Sequence, residues 1–396
     1  METGAALSLM EPVKLSEESR GRADLIDLAL ELARRSEALK GSLRPQIAAA
    51  LARLVRAMNC YYSNLIEGHD THPIAIERAL RHDYSLEPDK RDLQIEARAH
   101  MAVQAWIDAG GLAGPATRSD ALREVHRRFY AELPDSLCWV KDTDNERRLR
   151  VSPGAWREGE VQVGRHVAIA AADVPRFMSR FESAFERLGK SEEILAIAAA
   201  HHRLLWIHPF LDGNGRVARL MSHAMTLSSL DTAGLWSVAR GLARRVADYK
   251  AHLAACDLPR RNDLDGRGTL SEEALVAFTR FFLETCIDQV KFMRSRMEPE
   301  RLETRVQIWA EEEMRRGALA PRSDILLQAL LSRGELARGD VASRLGIGER
   351  QARRVVGSLI EVGAVVSESS RAPLRLAFPA TLASRWLPNL FPEPPP

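Results

Sequence analysis

Cysteine is scarce in this chain: Cys60, Cys138, Cys256 and Cys286 are the four in 396 residues, widely spaced and never arranged as Cys-x-x-Cys. That excludes a disulfide-framed scaffold and a cysteine-based zinc site, and leaves free buried thiols as the expectation. Charge of one sign is also lacking. The 56 Lys and Arg against 54 Asp and Glu leave +2, too little to draw the whole molecule to nucleic acid or a membrane. Lysine accounts for only seven of those 56, so the positive surface is arginine, which suits planar contacts to carboxylates and phosphates. No stretch approaches ~18 unbroken apolar residues, and the N-terminus lacks a basic segment followed by an apolar one. The expectation is a cytoplasmic protein without a membrane partner, long enough for two or three domains.

What is present centres on His208-Pro209-Phe210-Leu211-Asp212-Gly213-Asn214-Gly215-Arg216-Val217-Ala218-Arg219. An apolar helical segment, roughly 192–206, leads into it, and Pro209 biases His208 toward an extended backbone, so the helix should end where the histidine enters a loop. Gly213-Asn214-Gly215 then leaves backbone N–H groups unhindered at a new helix start, where peptide dipoles favour negative charge. Arg216 and Arg219, three apart, share a face from which both reach outer phosphates. Asp212 supplies a hard oxygen ligand suited to Mg²⁺, and His208 a general base for an incoming hydroxyl. These parts point to phosphoryl or nucleotidyl transfer.

The stretch resembles the Fic family motif, His-x-Phe-x-Asp/Glu-Gly-Asn-Gly-Arg-x-x-Arg, at every specified position. Family proteins are mostly adenylyltransferases that move AMP from ATP onto a Ser, Thr or Tyr hydroxyl of a target protein. The resemblance implies His208 as base, Asp212 as Mg²⁺ ligand, Gly213, Asn214 and Gly215 as phosphate cradle, and Arg216 and Arg219 as partners of the outer phosphates. A branch that transfers phosphate instead has lysine at the second glycine, so Gly215 favours AMP transfer. Upstream, Ser63-Asn64-Leu65-Ile66-Glu67-Gly68 resembles the family's inhibitory motif, Ser/Thr-x-x-x-Glu-Gly/Asn. That likeness implies Ser63, Glu67 and Gly68 as a brake in which Glu67 pairs with Arg219 and displaces the γ-phosphate. Val161-Gln162-Val163, alternating before a Gly164-Arg165 turn, reads as a β-hairpin and resembles the family's target-holding flap.

The fold class expected is mainly α: a Fic-type helical core with a β-hairpin flap, plus a small C-terminal winged-helix domain. The divisions read as 1–112, helical and carrying the inhibitory helix; 113–297, the catalytic core; 298–322, a helical linker; 323–387, a winged helix-turn-helix; and 388–396, a disordered tail. Residues 1–20 are expected to be loosely ordered, Ser119 and Ser191 to cap helices, and 241–256 to form one helix. The sequence 261–272 has a faint calcium-loop spacing, but Arg261 stands where the first carboxylate belongs, so it reads as a capped connection. Arg350, Arg353 and Arg354 on a recognition helix, with Arg371 and Arg375 on the wing, would meet DNA phosphates or dock a protein. A homodimer is compatible with the class. Two rival functions stay open: AMP removal with Glu67 orienting a water, and a nucleotide-sensing DNA-binding regulator.

Overall fold

The computed structural model describes residues 5–141 and 148–392. Helical apolar periodicity, punctuated by proline and glycine, gives a mainly α chain. It opens with α1 (Arg22–Gly41), α2 (Pro45–Ile66), α3 (Pro73–Leu80), α4 (Pro88–Asp108) and α5 (Ser119–Ala131). Helices α2, α3 and α4 each start on proline, whose fixed φ and missing N–H suit a first turn. Two antiparallel pairs follow, β1 (Trp139–Lys141) with β2 (Arg148–Arg150), and β3 (Gln162–Val163) with β4 (His166–Val167). The chain continues through α6 (Val174–Phe185), α7 (Lys190–Ile207), α8 (Asn214–Leu230), α9 (Val238–Arg244), α10 (Val246–Cys256), α11 (Glu272–Met297) and α12 (Pro299–Arg315).

Helix α7 is the hub. Every residue from Ile194 to Leu204 is buried, as expected for a helix apolar on all faces, and its alanines let α1, α6, α8 and α11 pack closely around it. The hub therefore fixes where its C-terminus delivers His208 and where α8 sets out again. Within the hub His201 is a core histidine, bonded through Nδ1 to the Ser222 hydroxyl at 2.8 Å and through Nε2 to the Tyr249 hydroxyl at 2.7 Å.

The C-terminal region contains α13 (Ser323–Arg333), β5 (Glu335–Leu336), α14 (Val341–Leu345), α15 (Glu349–Glu361), β6 (Val365–Val366), β7 (Leu374–Leu376) and α16 (Ala380–Trp386). Its antiparallel sheet runs β5-β7-β6, with Glu335 opposite Arg375 and Val365 opposite Leu376. Ala352, Val355, Val356 and Leu359 face inward from α15, while Arg350, Arg353 and Arg354 are exposed. Arg375 is not available to an outside phosphate as expected, because Glu335 at 2.9 Å and Glu368 at 3.1 Å neutralise it.

Several local expectations are corrected. Arg118 and Gly189, not Ser119 and Ser191, stand at the N-caps of α5 and α7; both serines lie one or two residues inside. The 241–256 segment breaks at Arg245 into α9 and α10. Residues 5–20 are anchored, with Met10 fully buried and Arg203 donating to the Pro12 carbonyl at 2.7 Å. The tail is anchored through residue 392. Tyr62 donates to the Leu390 carbonyl at 3.0 Å and Arg240 to that of Asn389 at 2.8 Å, so apolar Leu390 and Phe391 dock on α2. Residues 393–396 of the expected disordered tail, like 1–4, lie outside the described residues. In the 261–272 connection, Asp265 accepts from the Ser271 hydroxyl and from the N–H groups of Arg261 and Glu273, a cap rather than a metal loop.

Candidate active site

The loop between α7 and α8 is held from several sides. His208 ends α7 with φ 51° and ψ 59°, left-handed and not extended as Pro209 suggested. A helix-cap bond and a tertiary bond override the pre-proline bias: the His208 N–H donates to the Leu204 carbonyl at 3.0 Å, and its own carbonyl accepts from Arg157 Nε at 2.8 Å. The ring bonds through Nδ1 to the Leu205 carbonyl at 3.3 Å. A carbonyl only accepts, so Nδ1 carries the proton and Nε2 is left as the basic nitrogen. Burial holds the imidazole neutral, pushing its pKa down to about 4.

Beyond it, Phe210 is fully buried and stacks on His126, with ring centroids 4.0 Å apart. The Asn214 side chain closes a ring with Phe210, accepting from its N–H at 3.0 Å and donating to its carbonyl at 2.8 Å. Asn214 thus shapes the loop with its amide and leaves only its backbone to a ligand. His126 adds a second clasp: Nδ1 accepts from the Gly154 N–H at 2.8 Å, so Nε2 donates to the Asp212 carbonyl at 3.2 Å. Gly213 caps α8 with φ 80°, and a Cβ there would meet the Tyr130 ring.

Asp212 projects its carboxylate partly to solvent, 38% exposed. Burial by itself would raise its pKa, but Arg216 and the Tyr130 hydroxyl, which donates to Oδ2 at 2.6 Å, hold it below the ordinary value and hence charged. Mg²⁺ commonly takes one or two carboxylates plus substrate phosphates and waters, so a lone, charged, half-exposed Asp212 fits it. Among the described residues no cluster of three or more His, Cys, Asp or Glu could hold a metal unaided.

The two arginines are placed differently. Arg216 is buried, ion-paired to Glu96 of α4, 3.2 Å from Asp212 Oδ2, and stacked over Phe129. Arg219 faces α2: Nε donates to the Ser63 hydroxyl at 2.8 Å, Nη2 to the Ser63 carbonyl at 3.2 Å and also to Glu67 Oε1. Glu67 is the C-cap of α2 and Gly68 follows with φ 89°, which aims the carboxylate back at α8. A Cβ built on Gly215 would run into that carboxylate. Glu67 therefore occupies the space above the second motif glycine. Burial would raise the Glu67 carboxyl, but Arg219 and Arg216 outweigh it and keep the group below 4.5.

The structure thus brings Ser63, Glu67, His208, Asp212, Gly213, Asn214, Gly215, Arg216 and Arg219 to one site. Val163 and Gln162 form β3, whereas Val161 precedes the strand and accepts from the Ala168 N–H at 3.3 Å. Their hairpin is tied to α7 by His166, whose Nε2 donates to the Trp206 carbonyl at 2.8 Å. Glu96, His126, Tyr130 and Arg157 carry no motif signal as site residues: Tyr130 reads as a core position of its helix, and Arg157 lies at the start of the flap-like segment.

Comparison with known proteins agrees with this geometry. Residues 116–226 match the Fic/DOC family. The chain is 28% identical over 173 residues to Protein adenylyltransferase Fic of Nematostella vectensis, covering 42% of this chain and 36% of that protein. Against the Culex quinquefasciatus protein of the same name it is 37% identical over 108 residues, 27% of this chain and 19% of that one. The match to the Drosophila erecta protein spans 16% of its length, so these relatives extend well beyond the shared stretch. A Fic family protein from Desulfovibrio desulfuricans G20 shares the fold, with TM-score 0.55 and 19% identity over 92% of this chain and 98% of that one. No helix among the described residues is long and apolar enough to cross a membrane. The match and the geometry coincide: the stretch similar to the Fic/DOC family, residues 116–226, is the one that carries His208, Asp212, Gly213, Gly215, Arg216 and Arg219.

Proposed function

We propose that this chain is a protein adenylyltransferase held in a restrained state by Glu67, transferring AMP from ATP to a Ser, Thr or Tyr hydroxyl of a target protein. The observation that carries the reading is the Glu67 carboxylate on Arg219, directly above Gly215, in the space an anionic phosphate oxygen would need. The likeness to proteins named adenylyltransferase supports the chemistry.

In the mechanism, ATP phosphates lie on the backbone of Gly213 to Gly215 at the start of α8, and Arg219, once free of Glu67, meets the outer phosphate. The target hydroxyl gives its proton to His208 Nε2 as its oxygen bonds to the α-phosphorus. The bond from that phosphorus to the β-phosphate oxygen breaks, and pyrophosphate leaves. Asp212 would hold Mg²⁺, which supplies charge neutralisation for the departing pyrophosphate. The β3–β4 edge, with Val163 48% and Val167 71% exposed, offers the target segment a strand to pair with.

The test is intact mass after incubation with ATP and Mg²⁺. Glu67→Gly should gain one AMP on itself or an added target, while wild type and Glu67→Gly/His208→Ala gain none. Labelling that survives in the double variant would remove His208 from the role of base.

For the C-terminal region we read 323–387 as a winged helix whose α15 presents Arg350, Arg353 and Arg354 to a partner. None of the three is in an ion pair among the described residues, which favours duplex DNA. The full chain should bind duplex DNA with a salt-dependent affinity that Arg353→Ala/Arg354→Ala weakens at least about tenfold. Salt-insensitive binding, or none, would assign α15 to protein docking instead.

A further inference from the structure

Arg157 lies outside the motif, and its side chain is fully buried. Its guanidinium donates to three backbone carbonyls: Nε to His208 at 2.8 Å, Nη1 to Gly159 at 2.9 Å, and Nη2 to Ile169. Its own N–H donates to the Pro209 carbonyl at 2.9 Å. The nearest carboxylate, Glu160, is 3.6 Å away and 64% exposed, so carbonyl dipoles rather than a buried counter-charge solvate the cation. Gly159 and Ile169 stand just before β3 and just after β4, at the two feet of the hairpin.

Two facts make this more than packing. First, the residue it grips most directly, His208, sits in a left-handed conformation ahead of proline, which for a non-glycine residue costs on the order of 1–3 kcal/mol unless the surroundings impose it. Second, the hydrogen bonds of Arg157 are confined to the His208–Pro209 end of the loop and the hairpin. The phosphate end of the loop is held by other groups, Asn214 on Phe210 and His126 on Asp212. The loop thus has two independently supported ends.

Building on the adenylyltransferase reading, we propose that Arg157 is a positioning residue that welds His208 to the hairpin, so that a hydroxyl on a segment paired with β3 meets Nε2 in line. Docking of the target and orientation of the base become one event. Loosening this weld leaves nucleotide binding intact and slows transfer, because a base misplaced by about 1 Å loses on the order of 100-fold in rate.

The experiment uses the full chain in the Glu67→Gly background and compares Arg157 with Arg157→Lys and Arg157→Ala. Three quantities are read: ATP affinity by calorimetry, transfer rate by intact mass, and the protonation of His208 by ¹⁵N NMR titration. Expected for Arg157→Lys, which reaches one carbonyl instead of three, is ATP affinity within about threefold of the parent and transfer down by about 100-fold. The His208 Nδ1–H tautomer preference should be lost at the same time. Added guanidinium should restore part of the rate in Arg157→Ala, at least about fivefold, which a merely unfolded variant cannot show. Transfer within about threefold of the parent in Arg157→Lys, or ATP binding lost in parallel with transfer, overturns the proposal. If the Glu67→Gly parent transfers no AMP, the adenylyltransferase reading fails by itself. The NMR titration then decides, an unchanged His208 tautomer overturning the positioning role and a changed one supporting it.

Discussion

Removing the Glu67 carboxylate should tighten ATP binding and weaken the fold, two effects of opposite sign from one contact. Arg219 is 4% exposed and Glu67 33% exposed, so the pair lies between the limits for ion pairs. Breaking a fully buried pair at one partner costs about 3–5 kcal/mol, and an exposed pair contributes about 0–1 kcal/mol. A value near 2 kcal/mol follows for this half-shielded, hydrogen-bonded pair. On the proposed reading ATP must overcome this free energy to take Arg219, which corresponds to roughly 30-fold in affinity. Calorimetry with ATP and Mg²⁺ on His208→Ala and Glu67→Gly/His208→Ala isolates binding from chemistry. Affinity should rise roughly 30-fold, while unfolding free energy falls by about 1–2 kcal/mol as Arg219 retains only Ser63. Glu67→Gln, keeping one neutral hydrogen bond, should fall between. The Glu67 carboxyl is depressed below 4.5, so its hold is fully present above that value and is lost only as pH falls through its folded pKa. The gain should therefore be the same at pH 6 and pH 8, to within about twofold. An affinity gain of less than about twofold would show that Glu67 does not stand where a phosphate binds.

Two further outcomes follow from buried groups. The histidines His100 and His201 are driven by burial to a pKa of about 3, and His126, His202 and His208 to about 4, from an ordinary 6.5. Depressed histidines leave the unfolded chain binding more protons below 6.5, so stability should rise with pH from about 4 to 7, by about 2 kcal/mol per fully buried ring between pH 5 and 7. Urea melts across that range check this, and a flat profile would mean that these rings are hydrated. Deleting residues 387–396 removes Leu390 and Phe391 from Tyr61 and Tyr62, and should speed amide exchange in the second half of α2 more than in α7.

Periodicity and punctuation carried most of the helices, because those signals are local. The site loop was legible because its chemistry is crowded into twelve consecutive residues. What sequence could not supply came from residues far apart in the chain. Glu96 meets Arg216 across 120 positions, His126 meets Asp212 across 86, and Arg157 meets His208 across 51. His208 is the sharpest lesson, since the pre-proline rule is correct locally and is overridden by Arg157. The strand character of 134–164 is legible, but β1 and β2 within it cannot be delimited, because three-residue strands carry too little alternation. Residues 1–20 read as loosely ordered and the proline-rich 388–396 as disordered, yet a few apolar side chains, Met10 and Leu390 among them, suffice to anchor residues 5–20 and 388–392.

Helix α2 has buried residues in an almost continuous run from Leu54 to Asn64, and then turns outward: Leu65 and Ile66 are partly covered, and Glu67 and Gly68 are exposed. The Glu67 carboxylate thus rides on the final turn of a core helix, not on a detachable appendage. Its release requires fraying of one turn, a local opening of small free energy, whereas excising the helix would dismantle the core against which α4, α8 and α9 pack. On the proposed reading, anything that frees Arg219 needs to grip only the few residues after Asn64, and N-terminal truncation would report on folding instead of on release.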